Sequence, residues 1–283
     1  MSSLNARNET LTFVKLGGSV ITDKRREAVA HVDIIRRLAG EVARARAARP
    51  ELRLVIGHGS GSFGHFVGRR YRTHLGLAGG GGWEGYTQTG AAATRLNRIV
   101  TDLFLESGVP VVSLQPSASA LCREGELLSL AIGPVRTLLD VGLVPLVYGD
   151  VALDETSGFT IISTETIFAY LAQHITPARI ILAGIVDGVY TADPLAHPEA
   201  TLIPEITSAN INEVELMLSG SHGVDVTGGM GAKVRAMYSL ARSHPGLRVQ
   251  IVSGLEAGLL EEVLINPGCE VGSIICSASR KLT

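Results

Sequence analysis

The chain is poor in aromatic residues: phenylalanine, tryptophan and tyrosine make up 5 % of its 283 residues, and it has one tryptophan, Trp83. It also lacks an excess of either charge, with 25 Lys+Arg against 27 Asp+Glu for a formal net of −2. That balance excludes a nucleic-acid-binding surface built on bulk positive charge. The three cysteines, Cys122, Cys269 and Cys276, are widely spread with no Cys-x-x-Cys spacing. Neither a disulfide framework nor a zinc site is expected, and a reducing cytoplasm fits best. No apolar run approaches the roughly 20 residues of a membrane helix. Residues 1–10 are polar and lack the charged-then-apolar order of a secretory signal, so a soluble protein is expected. A Walker A sequence, a Gly-x-Ser-x-Gly elbow and internal repeats are absent as well.

Glycine is plentiful at 33 residues, and hydrophobic residues reach 46 %, enough for one large α/β domain or two packed lobes. The glycines gather behind apolar runs. Residues 52–56 read as a buried strand, followed at once by His58-Gly59-Ser60-Gly61-Ser62-Phe63-Gly64-His65. A glycine-dense turn at a strand's carboxyl end is where open α/β sheets bind ligands. Glycines let backbone amides approach an anion, and histidines offer protons or positive charge, so a phosphate is the expected ligand. Residues 11–16 form a second such strand, ending in Gly17-Gly18-Ser19 with Lys15 beside the turn and Lys24 nine residues on. Two lysines flanking turn amides suit a polyphosphate, the alternative being a plain strand-end turn with solvated lysines. Between them, Val32, Ile35, Leu38, Ala39 and Val42 recur at helical spacing, giving a βαβ unit with parallel strands.

Gly59-x-Gly61-x-x-Gly64 also satisfies a dinucleotide-binding pattern. That pattern requires an acidic residue about 20 positions on, at the end of a strand, and Glu84 sits in a glycine run instead. The nicotinamide reading is set aside. Residues 76–85 read as a flexible loop or lid, with a helix over 86–107 whose start, near Tyr86 and Gln88, would line a substrate pocket. Further elements are strands at 109–114 and 143–148, the latter stopped by Gly149-Asp150, a helix over 135–141, a hairpin of 151–153 with 159–162, and a helix from 163 to 173 capped by Ser163 or Thr164. A strand at 179–183 leads to a turn carrying Asp187 and Tyr190. An aromatic ring beside carboxylates suits a purine nucleoside, although Asp-Gly and Asp-Pro turns alone would explain the residues. Helices at 211–218 and from Lys233 to 242 and strands at 249–252 and 271–276 complete the chain. Before Lys233, Thr227-Gly228-Gly229-Met230 repeats the combination of glycine turn and lysine.

Five of these motifs in one order (Lys15 with Gly17-Gly18-Ser19, the histidine-bearing glycine stretch, Tyr148-Gly149-Asp150, Val186-Asp187-Gly188-Val189-Tyr190 and Thr227-Gly228-Gly229-Met230) resemble the amino acid kinase superfamily. Residues 17–24 and 61–65 look closest to its isopentenyl phosphate kinase branch. The resemblance implies a three-layer αβα sandwich around a mainly parallel sheet, with an acceptor-binding lobe over 11–174 and a nucleotide-binding lobe over 175–276. It further implies ATP- and Mg²⁺-dependent phosphorylation of isopentenyl phosphate to isopentenyl diphosphate in isoprenoid biosynthesis, by a homodimer. Position by position, His65 matches a histidine on the acceptor phosphate, and Lys15 and Lys24 match lysines on the transferred phosphoryl group. Gly17, Gly18, Gly59 and Gly61 match glycines whose amides line the phosphate path, and Ser19 falls with Lys15, Gly17 and Gly18 among the nucleotide-binding matches. Ser60, Gly64, Tyr86, Gly149 and Asp150 fall on the acceptor side; Asp187, Tyr190, Gly228, Gly229 and Lys233 on the nucleotide side. No protein metal ligands are assigned. His58 is left with at most a loop-orienting backbone hydrogen bond.

Three departures stand out. Ser60 replaces a glycine, tolerable if its φ is negative. Glu165 stands where the family supplies an organising aspartate, and Ala183-Gly184 replaces a Thr-Asp pair. The competing readings are a sister kinase for another phosphate or phosphonate, such as fosfomycin, and a non-catalytic nucleotide-binding protein on the same fold.

Overall fold

The structure, a computed structural model, describes residues 11–194, 196–219 and 229–278. Its first strand, β1 (Leu11–Leu16), is buried along nearly its whole length, as a strand covered on both faces must be. One helical turn, α1 (Gly18–Ile21), and the helix α2 (Val32–Ala48) deliver the chain to β2 (Arg53–His58). Then come α3 (Gly61–Arg70), a 3₁₀ segment (Thr73–Gly79), the long α4 (Gly82–Glu106), β3 (Val111–Ser113), a 3₁₀ turn (Pro116–Ala118), β4 (Leu121–Arg123), β5 (Glu126–Ser129) and α5 (Ile132–Asp140). The middle of the chain supplies β6 (Val144–Tyr148), β7 (Asp150–Asp154), β8 (Gly158–Ile162), α6 (Thr164–Ile175) and β9 (Arg179–Gly184). The remainder gives β10 (Val189–Tyr190), β11 (Leu202–Ile203), β12 (Glu205–Ile206), α7 (Ile211–Ser219), α8 (Gly229–Ser243), β13 (Arg248–Ser253), α9 (Leu259–Ile265) and β14 (Ser273–Ile275).

The main sheet has eight strands in the order β12-β14-β13-β9-β1-β2-β6-β3. From β13 to β3 every pairing is parallel, and β14 alone runs antiparallel to its neighbour β13. After β1 the chain fills the sheet on one side through β2, β3 and β6, then crosses to the other side with β9. The order therefore reverses between β1 and β9, and the carboxyl ends of those strands border a crevice where ligands bind in open α/β sheets.

Alternation along the strands splits the core into two layers. Val14, Leu16, Leu54, Ile56 and Ile181 pack with α2, α4 and α9; Phe13, Val55, Ile180, Leu182 and Ile251 pack with α6 and α8. Together the layers form the αβα sandwich. A second sheet, β5-β4-β7-β8, contains the expected hairpin, and β10 pairs with β11. Among the described residues no helix is long and apolar enough to cross a membrane.

Three expectations change. The stretch read as a turn through His65 ends sooner, because α3 begins at Gly61. The glycine run expected to be a loop or lid is largely built into elements: Thr73–Gly79 is 3₁₀ and α4 starts at Gly82, four residues early. Gly76, Gly79, Gly81 and Gly85 serve close packing, while Gly80 and Gly82 take positive φ with open space around them. A Cβ on Gly76 would lie 2.4 Å from the Ser157 carbonyl oxygen, and one on Gly85 2.8 Å from Tyr71 Cβ. The strand expected over 109–114 shrinks to Val111–Ser113, while β5, β10, β11, β12 and α9 carry no distinct sequence signal.

Candidate active site

The two glycine turns lie against each other. β1 and β2 are adjacent and in register, Leu16 opposite His58, so their carboxyl ends place Gly17-Gly18 beside Gly59–Gly61. A Cβ on Gly18 would stand 2.8 Å from the Cα and N of Gly61, and one on Gly61, where φ is +51°, would strike Thr22. Only glycine allows this backbone-to-backbone contact. Thr22 Oγ1 joins the two turns by donating to the Gly18 carbonyl (2.7 Å) and accepting from the Ser62 N–H (2.9 Å). Ser60 has φ −70°, so a side chain costs nothing there. Gly64 packs on that side chain, with 2.6 Å from a virtual Cβ to Ser60 Cβ.

Hydrogen bonds continue the sheet past the strand ends. Gly17 N–H donates to Ala183 O (2.9 Å), Gly59 N–H to Leu16 O (3.1 Å), Gly149 N–H to His58 O (3.0 Å) and Gly254 N–H to Gly184 O (2.7 Å). The crevice floor is thus one connected backbone surface.

Lys15 shares a face with Phe13, toward α6. Its neighbour in β2 is Gly57, where a Cβ would come within 2.5 Å of Thr164 Cγ2. The missing side chain lets the first turn of α6 drop onto the sheet, and Glu165 there forms an ion pair with Lys15. Ser163 caps the helix by accepting from Thr166 N–H (3.0 Å), and Thr164 Oγ1 donates to His58 O (2.6 Å). Burial favours protonation of Glu165, but Lys15 and, from α8, Lys233 outweigh it and hold the carboxyl below its ordinary range. Lys233, 68 residues further along the chain (233 − 165), is thus near enough for its charge to act on Glu165.

Of the residues expected on the acceptor side, His65 and Tyr86 line two different clefts. Lys24 and His65 line one of about 330 Å³ with Phe66, Arg69 and Arg70. The arginines carry no motif and were not singled out from sequence, although α3 brings them one turn beyond His65. Tyr86 lines a larger cleft of about 600 Å³ with Gly90, Thr94, Arg95, Ser117 and Val151. Asp150 stands behind that wall. It is buried, and its oxygens accept from the N–H groups of Ser117 (3.1 Å) and Val151 (2.9 Å). Burial raises its carboxyl, partly offset by those bonds, and it helps push the Tyr86 phenol upward after desolvation. Nearby, Trp83, Tyr86 and Phe159 form a trio with ring centroids 5.4 to 6.0 Å apart.

On the β9 side, the Tyr190 hydroxyl donates to Asp187 Oδ1 (2.8 Å), which raises the phenol's pKa. Gly188 is held tightly, since a Cβ there would meet Ser273 Oγ at 2.6 Å. Gly229 opens α8 with φ +62°; Gly228 lies outside the described residues. The site that results has lysines at a glycine-paved crevice, a basic cleft on one side and an aromatic-carboxylate turn on the other. Such an arrangement can bring two phosphate groups together and neutralise them.

Residues 10–253 match the family model described as "Amino acid kinase family". The chain is similar to the isopentenyl phosphate kinase of Methanothermobacter thermautotrophicus, with 36 % identity over 262 residues, 90 % of this chain and 95 % of that one. It is likewise similar to the isopentenyl phosphate kinase of Methanocaldococcus jannaschii, with 33 % identity covering 79 % of this chain and 85 % of that one. A solved structure titled "X-ray structures of isopentenyl phosphate kinase" superposes with a TM-score of 0.80 at 33 % identity, covering 94 % of this chain and 99 % of its own.

Proposed function

The chain belongs to the amino acid kinase family and, within it, to the isopentenyl phosphate kinases, and from that premise we propose that it transfers the γ-phosphoryl group of ATP to isopentenyl phosphate, giving isopentenyl diphosphate and ADP. The observation that carries the reading is the joining of the two glycine turns beneath Lys15, with Lys24 and His65 lining the cleft beside them.

A phosphate monoester has its second pKa at about 6, so near neutral pH its oxygen is already a nucleophile. No strong base is required. The barrier lies in bringing one anion in line with another, and positioning with charge compensation lowers it. The acceptor oxygen forms a bond to the γ-phosphorus while the bond to the β,γ-bridging oxygen breaks. In this reading His65 donates a hydrogen bond to the acceptor phosphate. Lys15, aimed by Glu165, and Lys24 neutralise the phosphoryl group in flight. The amides of Gly17, Gly18, Gly59 and Gly61 line its path. Asp187 and Tyr190 contact the nucleoside, and Lys233 the phosphates of the donor.

Among the described residues no group of three or more His, Cys, Asp or Glu could hold a metal ion. Mg²⁺ keeps several waters and binds through one or two carboxylates plus substrate phosphates, and Glu165 is a carboxylate at the crevice. When bound it would supply charge neutralisation between the β- and γ-phosphates, with Glu165 the carboxylate placed among the site's lysines. The division into an acceptor lobe over 11–174 and a nucleotide lobe over 175–276 is supported by the reversal of strand order between β1 and β9. A cytoplasmic location draws support from the three free cysteines, and a homodimer from the family resemblance.

The test is a panel of phosphate and phosphonate acceptors assayed for ADP release. Turnover of isopentenyl phosphate is expected; turnover of fosfomycin alone would transfer the activity to a phosphonate.

A further inference from the structure

The proposed mechanism leaves His58 without a task, yet it is the most elaborately held side chain of the site. It is fully buried at the end of β2. Its ring stacks on Tyr148, the cross-strand neighbour in β6, with centroids 5.5 Å apart and planes within 9°. Tyr148 is itself fixed by a hydrogen bond between its hydroxyl and Thr94 Oγ1 (3.1 Å). Both ring nitrogens of His58 are engaged, Nδ1 with the Gly59 carbonyl (3.0 Å) and Nε2 with Asn97 Nδ2 (3.1 Å).

These contacts admit one protonation state. A carbonyl oxygen only accepts, so Nδ1 must carry hydrogen. Ser113 Oγ donates to Asn97 Oδ1 (2.5 Å), which leaves the amide NH₂ facing Nε2, and Nε2 must accept. The imidazolium would set two donors against each other, and burial also disfavours it, lowering the pKa to about 4. The neutral Nδ1–H tautomer is the state that satisfies every partner.

The consequence falls on the next peptide. No peptide among the described residues is cis, so the Ser60 N–H points opposite to the Gly59 carbonyl across a planar amide. With that carbonyl held by His58, the N–H is turned to the opposite side of the peptide, where Ser60 N lies 3.6 Å from the place a Cβ on Gly149 would take, at the crevice floor. Resting on the reading of the crevice as a phosphate site, we propose that His58 is a positioning residue: its Nδ1–H, selected by Asn97, locks the Gly59–Ser60 peptide so that the Ser60 amide is presented to the acceptor phosphate.

Asn and Gln separate this role from simple core filling, because an Asn amide nitrogen superimposes on the Nδ1 position and a Gln amide nitrogen on Nε2. In the full-length protein, His58→Asn is expected to keep the KM for the acceptor monophosphate near wild type. His58→Gln is expected to raise it roughly tenfold, the worth of one hydrogen bond to a charged group, with the KM for ATP unchanged. Equal losses in the two variants, or an equal rise in both KM values, would overturn the proposal. A second measurement needs no variant: in ¹⁵N-histidine-labelled protein, His58 is expected to show the Nδ1–H tautomer at neutral pH, and an Nε2–H or doubly protonated ring would also overturn it. This arm uses no acceptor, so it stands even where isopentenyl phosphate proves not to be the substrate.

Discussion

Lys15 and Glu165, 150 positions apart in the chain, meet as an ion pair with side chains only 12 % and 14 % exposed. A lysine at a phosphate site must be aimed as well as charged, and the pairing limits where its long side chain can point. Glu165→Gln is therefore expected to lower kcat on the order of 100-fold, the scale of an ångström-level misplacement, with little change in acceptor KM. Steady-state kinetics checks this.

The same pair sets an acid response. The folded-state carboxyl of Glu165 lies below its ordinary value: burial opposes ionisation, but the attraction of Lys15 and Lys233 prevails. A depressed pKa contributes stability that is present above the unfolded pKa of about 4.3 and is lost as pH falls through the lower folded value. Urea-denaturation midpoints of wild type should fall more steeply than those of Glu165→Gln below about pH 4. Parallel curves would remove the pair as their cause.

Gly18→Ala inserts a methyl 2.8 Å from the backbone of Gly61, which has no flexible end to swing away. A loss of about 1–3 kcal/mol is expected, with activity falling further because both turns must part. Gly40→Ala is the control: the position is inside α2, φ is not positive, and the nearest atom to a Cβ there is the flexible end of Arg44 at 3.4 Å. It should be neutral or stabilising by up to about 1 kcal/mol in chemical denaturation.

Thr22→Val removes the hydroxyl that connects Gly18 to Ser62 and leaves a buried N–H without its acceptor. The expected cost is about 1–3 kcal/mol, with a raised acceptor KM. Thr22→Ser should recover most of both in the same assays.

The fold was readable where chemistry and period coincided. Strands β1, β2, β6 and β9 each end in glycine-bearing turns, and their apolar runs mark them. Lys15, Lys24 and His65, proposed for the site, stood out because they sit in or close to those turns. Asn97 and Arg69 did not, since each lies in an ordinary helical pattern and acquires its part only when the helix is laid on the sheet, and Thr164, marked as a possible cap, instead bonds the His58 carbonyl. The glycine run before α4 misled for a related reason. Local propensity makes such a run a loop, while the tight approaches of Gly76 to Ser157 and Gly85 to Tyr71 make it a packing surface.

Glu41 extends this lesson to the far side of the crevice. Fully buried in α2, it accepts from Arg37 (2.6 Å) and from the N–H groups of Gly258 (3.0 Å) and Leu260 (3.1 Å), while Arg37 donates to the carbonyl of Gly254. Glu41→Ala leaves Arg37 without its carboxylate and the start of α9 without acceptors, for an expected loss of about 3–5 kcal/mol in thermal or urea denaturation.

The aromatic trio gives the molecule an optical reporter. Trp83 is its sole tryptophan and is 52 % exposed, 5.4 Å from the Phe159 ring and 6.0 Å from that of Tyr86. All of the indole emission therefore comes from one place, beside Tyr86 and Phe159, and none from the turn that holds Asp187 and Tyr190. Fluorescence of the unlabelled protein can follow the filling of one half of the site while the other half stays dark.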